Sequence, residues 1–165
     1  MPQRPPDAQH RLESLTETRA ALLSLICDAR RHLDIFSPDL DRTLFDDSEM
    51  VSAIRDLVIR AGSQARVRVL VEDAGGVSRG GHQLLGLAHR LPTAIDLRRV
   101  AAEDRDETTS LVIADRNGLL RWDWSKAKFA MDCRGDRGAA VAEGQYFDRR
   151  WDRSIDDPEL RRLAL

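Results

Sequence analysis

The sequence predicts a single α/β domain whose mixed, largely parallel sheet is covered by helices. Segments with the apolar spacing of amphipathic helices alternate with short apolar segments that are typical of strands, an order that favours parallel strands joined by helices. Near the end of the chain, Arg116-Asn117-Gly118 separates two apolar segments. Because an Asn-Gly pair favours a tight hairpin, part of the predicted sheet is antiparallel.

The first half of the chain predicts two helix–strand units. From Arg11 to His32 the apolar residues recur at three- and four-residue spacing, as in an amphipathic helix, and the apolar segment that follows stops at Pro38. Asp46 precedes Glu49 by three residues, which resembles a capping box at the start of a helix. The predicted elements are helices over 11–32 and from Asp46 to Gly62, and strands over 33–37 and 66–72.

The second half predicts a further helix–strand unit, the hairpin and a closing helix. The glycine-rich segment 74–81 is expected to form a loop, and Pro92 ends the helix after it. The predicted elements are a helix over 82–91, strands over 94–100, 109–115, 119–124 and 127–132, a helix over 139–154 and a final turn in 156–165.

Composition excludes several classes of protein. The 165 residues suit one domain, and 28 acidic residues nearly balance 26 basic ones, which argues against nucleic-acid binding. No apolar segment approaches the roughly 18 residues of a membrane span. Residues 1–10 contain three prolines and are expected to form a flexible arm before a domain over 11–165. We therefore predict a cytoplasmic protein with Cys27 in its core, since two cysteines are too few for a disulfide framework.

The glycine-rich segment carries the first candidate site. Gly76-Val77-Ser78-Arg79-Gly80 matches G-x-S-x-G, but a serine hydrolase also needs a later acid and then a histidine, and no histidine follows His89. A flexible connection is therefore the favoured interpretation. The alternative interpretation is an anion site, formed by the backbone N–H groups of this segment together with Arg79 and His82. His82 and His89 are too far apart for the common metal-binding pair.

Charged and aromatic residues at predicted strand ends form the second candidate site. Glu72 and Asp73 follow a strand, where open α/β sheets bind ligands, although both also suit a solvated turn. Trp122 and Trp124 alternate with charged residues and share one strand face, which favours core packing under the helix at 139–151. The alternative is a stacking platform for nucleic-acid bases beside Lys126 and Lys128.

The order of these elements resembles one half of the phospholipase D superfamily. The resemblance covers roughly residues 15–162 and includes local phrases such as Asp34-Ile35-Phe36-Ser37-Pro38 and Phe147-x-x-x-Trp151-x-x-Ser154. More narrowly, the chain resembles a proteobacterial domain of unknown function that occurs alone or behind N-acetyltransferase domains. The resemblance implies a bacterial protein with a phospholipase D-like fold, in which two copies make one site.

The superfamily's catalytic signature is H-x-K-x4-D, followed after six residues by G-S-x-N. Its histidine attacks phosphorus and its lysine holds the phosphate oxygens. With Asp115 on the aspartate, Thr108 takes the histidine position and Ser110 the lysine position, while Trp122-Asp123-Trp124-Ser125 replaces G-S-x-N. A threonine without an activating base is a weak nucleophile, and a serine supplies no cation. The resemblance therefore implies the fold together with a degenerate active site.

We predict a non-catalytic phospholipase D-like domain that acts as a binding or interaction module without a cofactor or metal. Its expected partner is another protein or a second copy of the chain, rather than nucleic acid. One alternative is a hydrolase or phosphotransfer enzyme built on the Arg79–His82 loop, and another is an accessory domain of an acetyltransferase. The candidate ligand-binding residues are Glu72, Asp73, Arg79, His82 and Lys126.

Overall fold

The computed structural model of the chain describes residues 9–105 and 107–161, which form one seven-stranded sheet with helices on both faces. The strands are β1 (His10–Leu12), β2 (His32–Phe36), β3 (Arg66–Val71), β4 (Ile95–Arg99), β5 (Ser110–Ala114), β6 (Gly118–Trp122) and β7 (Ala130–Asp132). The helices are α1 (Leu15–Asp28), α2 (Arg42–Phe45), α3 (Ser48–Ala61), α4 (Ala74–Ser78), α5 (Gln83–Arg90) and α6 (Arg137–Arg153).

The sheet is mixed, as predicted, and has the strand order β1-β7-β6-β5-β2-β3-β4. Strands β2, β3 and β4 are parallel, whereas β2 pairs with β5 in the antiparallel sense and the pairings onward to β1 are antiparallel as well. Two of these six pairings are parallel and four are antiparallel, so the antiparallel part is larger than the sequence indicated. None of the helices in the described residues has the length and apolar character needed to cross a bilayer.

The beginning of the chain differs from the predicted arm and single helix. Residues 1–8 lie outside the described residues, but His10 already starts β1, which pairs with β7. The predicted helix over 11–32 begins only at Leu15, because the Ser14 hydroxyl accepts a hydrogen bond from the Glu17 N–H and caps α1 there. Cys27 lies on the outer face of α1 and is exposed, so its prediction as a core residue was wrong.

Two segments outside the predicted helices form short helices because aspartates cap them. Asp41 accepts from the Thr43 N–H at the start of α2, and Asp73 accepts from the Gly76 N–H at the start of α4. The predicted capping residue of α3 was also off by one position. Asp47, not Asp46, accepts from the first N–H groups of that helix.

The β5–β6 hairpin is present, but the Asn-Gly pair does not form its centre. The two positive-φ residues are Asp115 (φ 52°) and Arg116 (φ 54°), as a type I′ turn requires at its two central positions. Gly118 belongs instead to β6, where a Cβ atom would lie 2.7 Å from Leu25 Cδ1 of α1. The glycine therefore serves the close approach of α1 to the sheet rather than the turn.

The sheet separates two apolar clusters. The larger cluster lies on the face covered by α1, α3 and α5, and the smaller one lies under α6, where Phe36 and Phe147 are fully buried. Between the sheet and α6 lies a network of four charges. Asp34, 5% exposed, accepts two hydrogen bonds from Arg68, whereas Asp148 of α6 accepts one from Arg68 (2.9 Å) and one from Arg116 (2.5 Å). This network joins β2, β3 and the β5–β6 turn to α6.

The network gives a prediction about stability. We expect Asp34→Ala to lower the free energy of unfolding by about 3 kcal/mol, because Arg68 then loses its buried partner and shares Asp148 with Arg116. Chemical denaturation with urea measures the change. The control is Asp56→Ala, at an exposed position beside Arg55 on α3, where we expect a change within about 0.5 kcal/mol. Equal effects of the two substitutions would contradict a central role for the network.

Candidate functional site

The candidate site lies at the edge of the sheet where the parallel strands β2 and β3 end. Because β5 runs antiparallel to β2, its first residues and the last residues of β6 reach the same edge. An open groove of about 670 Å³ lies there, which we call the strand-end groove. It is lined by Pro38, Asp39, Glu72, Asp73, Arg105, Glu107 and Thr108.

The strand-end groove is rich in carboxylates. Four acidic side chains line it beside one arginine, Arg105. The sequence placed Glu72 and Asp73 at this edge, and the Pro38 carbonyl accepts a hydrogen bond from the backbone N–H of each (2.8 and 2.9 Å). The Asp73 carboxylate also caps α4. The described residues contain no group of three or more His, Cys, Asp or Glu residues arranged to hold a metal ion.

The positions that match the lysine and histidine of the superfamily signature are engaged with neighbouring side chains. Ser110 is buried, and its hydroxyl donates to Ser37 Oγ at 3.2 Å. Thr108 is exposed, and its hydroxyl donates to Asp123 Oδ2 at 2.6 Å. Neither position carries a cation or a ring nitrogen. Ser110 pairs in register with Trp122, so the indole of Trp122 lies next to Ser110.

The two indoles at this edge differ in exposure. Trp122 is 3% exposed, and its ring lies 6.0 Å from the ring of Phe45 in α2. Its burial confirms core packing, but it packs on the face opposite α6, so the predicted packing under 139–151 was wrong. Trp124 is 39% exposed, and its indole N–H donates to Asp41 Oδ2 at 2.9 Å. Only Trp124 of this pair presents ring surface to solvent.

Asp123 is the electrostatic centre of the segment that replaces G-S-x-N. Desolvation raises its pKa, but hydrogen bonds from Ser125 and Thr108, with the charge of Lys126 at 3.4 Å, outweigh this and hold the pKa at about 2. Ser125 donates both its hydroxyl and its backbone N–H to Asp123 Oδ1. These contacts join four of the predicted site residues, Thr108, Asp123, Ser125 and Lys126, into one cluster around the Asp123 carboxylate.

Asp115, which the sequence analysis placed on the signature aspartate, lies at the opposite end of β5. Its carboxylate accepts hydrogen bonds from the backbone N–H groups of Arg30, Arg31 and His32, at 2.7, 3.0 and 2.9 Å. Desolvation raises its pKa, but these hydrogen bonds outweigh that effect and lower it. Asp115 therefore ties the α1–β2 connection to the hairpin turn and takes no part in the strand-end groove.

The Arg79–His82 loop is held by backbone contacts. His82 is buried and caps α5: its Nδ1 accepts from the Leu84 N–H, and its Nε2 donates to the Leu40 carbonyl at 3.0 Å. Burial lowers the pKa of His82, which keeps the ring neutral. The Arg79 Nε donates to the Gly75 carbonyl, as does the Ser78 hydroxyl at the last residue of α4. Ser78 therefore does not lie on a sharp strand-to-helix turn.

Sequence reasoning missed the residue that fixes this loop. The Arg42 guanidinium donates to three carbonyls of the loop, those of Gly76, Arg79 and Gly81. No motif signals such a role, because the contact joins residues more than 30 positions apart. Ser37 and Asp41, which hold Ser110 and Trp124, were missed for the same reason. Their only sequence signal is their place at the end of the predicted strand over 33–37 and in the polar segment after it.

A family model described as a domain of unknown function, DUF7931, matches residues 14–163. No functionally curated protein matches the chain significantly in sequence.

Three solved structures are similar to the chain. TrmBL2, an archaeal chromatin protein whose structure shows a novel mode of DNA binding, has a TM-score of 0.66 and 10% identity over 95% of this chain and 57% of its own. NucT from Helicobacter pylori has a TM-score of 0.66 and 14% identity over 90% of this chain and 98% of its own. Phosphatidylserine synthase from Haemophilus influenzae has a TM-score of 0.56 and 14% identity over 88% of this chain and 39% of its own. These likenesses confirm the predicted phospholipase D-like fold.

The contact between Thr108 and Asp123 gives a prediction that NMR can test. We expect Thr108→Val to raise the pKa of Asp123 from about 2 towards its ordinary value of 3.8, because the carboxylate loses a hydrogen bond that stabilises its charged form. A titration of the carboxyl carbon resonance measures this shift. Thr109→Val is the control, since the Thr109 hydroxyl has no contact with Asp123 among the described residues, and we expect it to leave that pKa unchanged. An unchanged pKa in Thr108→Val would contradict the hydrogen bond.

Proposed function

The chain belongs to the DUF7931 family, a domain of unknown function. We propose that it is a non-catalytic domain of phospholipase D-like fold that acts by binding. One observation carries the proposal. The positions of the catalytic histidine and lysine hold Thr108 and Ser110, whose hydroxyls are bonded to Asp123 and Ser37, and the buried indole of Trp122 lies opposite Ser110. No nucleophile or phosphate-holding cation stands at these positions.

The charge of the strand-end groove supports the same proposal. Phosphoryl transfer requires cations that stabilise negative charge on the phosphate oxygens. The groove instead presents Asp39, Glu72, Asp73 and Glu107 beside Arg105. A phosphodiester that approached these carboxylates would meet repulsion, so we infer that nucleic acid does not bind in this groove. DNA binding is described for the fold neighbour TrmBL2, and for this chain the acidic groove argues against the same use of this edge.

The alternative of an enzyme built on the Arg79–His82 loop has less support. A general base needs a ring nitrogen free to accept a proton from the substrate. Both ring nitrogens of His82 are engaged with the backbone, Nδ1 by Leu84 and Nε2 by Leu40. Moving this ring towards a substrate would break its capping contact with α5, in which Nδ1 accepts from the Leu84 N–H.

A second candidate function is self-association through the strand-end edge. Trp124 carries an exposed indole at this edge, where the superfamily resemblance implies pairing of two copies. We propose that a homodimer forms with Trp124 in the interface. Such a dimer would also bring the carboxylates of the two strand-end grooves near each other, so charge repulsion opposes it at low ionic strength.

The proposal of a non-catalytic domain predicts no phosphodiesterase activity. We expect no hydrolysis of bis(p-nitrophenyl) phosphate above the rate in buffer, at any pH from about 5 to 9, because Asp123, the carboxylate bonded to the Thr108 hydroxyl, has a pKa of about 2 and is too weak a base to activate it, and neither Thr108 nor Ser110 has a cationic side chain. Release of p-nitrophenol, followed by its absorbance, measures the rate. Thr108→Ala and Ser110→Ala serve as matched variants. Turnover by the wild-type chain that either substitution abolishes would overturn the proposal.

The proposed dimer predicts an unusual dependence on salt. We expect self-association to strengthen between about 10 mM and about 1 M NaCl, since screening removes the repulsion between the two acidic edges. Sedimentation velocity at each salt concentration measures the dimer fraction. Trp124→Ser should abolish the dimer, whereas Leu15→Ser, which changes an exposed apolar residue on α1, should leave it intact. A chain that stays monomeric at high salt would contradict this arrangement.

A further inference from the structure

A second groove lies between the sheet and α6, and neither the predicted site nor the superfamily signature includes it. We call it the α6 groove. Its volume is about 480 Å³, which is within the range of small-molecule sites. Thr109 and Leu111 line it from the strand side, and Ala142 and Tyr146 line it from α6. Glu107 lies at the boundary, because it lines both grooves.

Arg150 is the unusual residue of the α6 groove. It is 4% exposed, and its guanidinium carbon lies 4.6 Å from the ring centroid of Phe36 and 4.5 Å from that of Tyr146. Its Nε has no hydrogen-bond partner among residues 9–105 and 107–161. The carboxylate of Glu107 comes only to 3.9 Å from Nη2, which is beyond hydrogen-bonding distance. A buried polar group in this condition is costly unless a ligand or solvent completes its bonds.

Arg121 supplies a second guanidinium to the same groove. Its side chain is partly exposed, and its Nη1 lies 4.0 Å from the Glu143 carboxylate. Both arginines are therefore close enough to a carboxylate for partial charge compensation, but neither contact is short enough to be a hydrogen bond. Guanidinium groups have planar forks of N–H donors that match the oxygen pairs of carboxylates and phosphates.

The wall of the groove favours a ligand with a flat or apolar part. Tyr146 is 40% exposed, and its ring lines the space next to Arg150, beside Leu111 and Ala142. An aromatic surface next to a cation suits a small organic anion, since the ring contacts the carbon skeleton and the arginine takes the charged end.

We propose that the α6 groove binds a small organic anion, whose carboxylate or phosphate group accepts hydrogen bonds from Arg150 and Arg121 while its flat part packs on Tyr146. This inference rests on the binding function proposed above and gives it a ligand class. It uses a surface on the opposite face of the sheet from Ser110 and Trp122. Its failure would therefore leave the absence of catalysis, which phosphodiester hydrolysis tests, as a separate result.

The test titrates the full chain with benzoate, phenyl phosphate and benzamide, and follows backbone amide resonances by NMR. We expect the two anions to shift the amides of Thr109, Arg121 and Tyr146 with dissociation constants of about 1–10 mM, as suits ligands of this size. Benzamide has the same ring without the charge, and we expect it to bind at least about tenfold more weakly. Tighter binding of benzoate or of phenyl phosphate tells whether the groove prefers a carboxylate or a phosphate.

Variants locate the binding. We expect Arg150→Gln to weaken benzoate binding by about tenfold or more, whereas Arg137→Gln, an exposed position on the same helix with the same loss of charge, leaves it unchanged. Because Arg150 is buried, its variant is compared with the wild type by thermal melting. Arg121→Gln tests the same groove from a more exposed position, and we expect a loss of about fivefold.

A variant that is expected to strengthen binding is also tested, because a loss of folding could not explain tighter binding. Glu107→Gln removes the negative charge nearest Arg150, while its amide oxygen can still accept from the Thr109 N–H. We expect it to tighten benzoate binding about two- to fivefold. The proposal is overturned if benzoate leaves the groove amides unshifted, if benzamide binds equally well, or if Arg121→Gln and Glu107→Gln both leave the affinity unchanged.

Discussion

The position of α6 depends on the charge network beneath it. Asp34 stands in the middle of β2 at a position that would otherwise bury an apolar side chain, and Arg68 of β3 reaches it with two hydrogen bonds. Asp148 of α6 accepts hydrogen bonds from Arg68 and from Arg116, which lies in the hairpin turn. Because a buried ion pair is stable only when its geometry is satisfied, the network allows few positions for the helix. Gly144 accommodates it, since a Cβ atom there would lie 2.5 Å from the Arg116 side chain.

Once α6 has packed on the sheet, the first residues of β5 contribute side chains to two different environments, one on each face of the sheet. Alternate residues of a strand point to opposite faces, so Ser110 and Leu111 have different surroundings. Ser110 points to the face where Trp122 and Phe45 pack together. Leu111 lines the α6 groove on the other face. The face opposite Ser110 and Trp122 therefore has an open groove with two arginines.

The sequence predicted the parts of the fold that depend on local patterns. Apolar periodicity located α3, α5, β3 and the hairpin strands, because their burial follows the spacing of apolar residues along the chain. Patterns failed where one polar contact decides the structure. Asp41 and Asp73 begin short helices that apolar spacing did not indicate, and Asp115 takes a positive φ because its carboxylate bonds to the α1–β2 connection. The same difference holds for the candidate site residues. Motif spacing singled out Thr108 and Ser110. Arg150 has no local sequence signal, because its neighbours come together only when α6 packs on the sheet.

Arginine use in this chain makes Arg150 stand out. Its basic residues are almost all arginines, and many of them donate to carbonyls or carboxylates elsewhere in the fold: Arg42 to the loop after α4, Arg60 to the end of α1, and Arg68 to Asp34. Long guanidinium side chains suit this task because each offers several donors in a fixed plane. Arg150 is the one buried arginine among the described residues, and its Nε lacks the acceptor that burial normally requires. Two aromatic rings stabilise its charge by cation–π contact but accept no full hydrogen bond. The anion proposed for the α6 groove would accept hydrogen bonds from the Arg150 guanidinium, as carbonyls and carboxylates elsewhere in the fold accept from the other arginines.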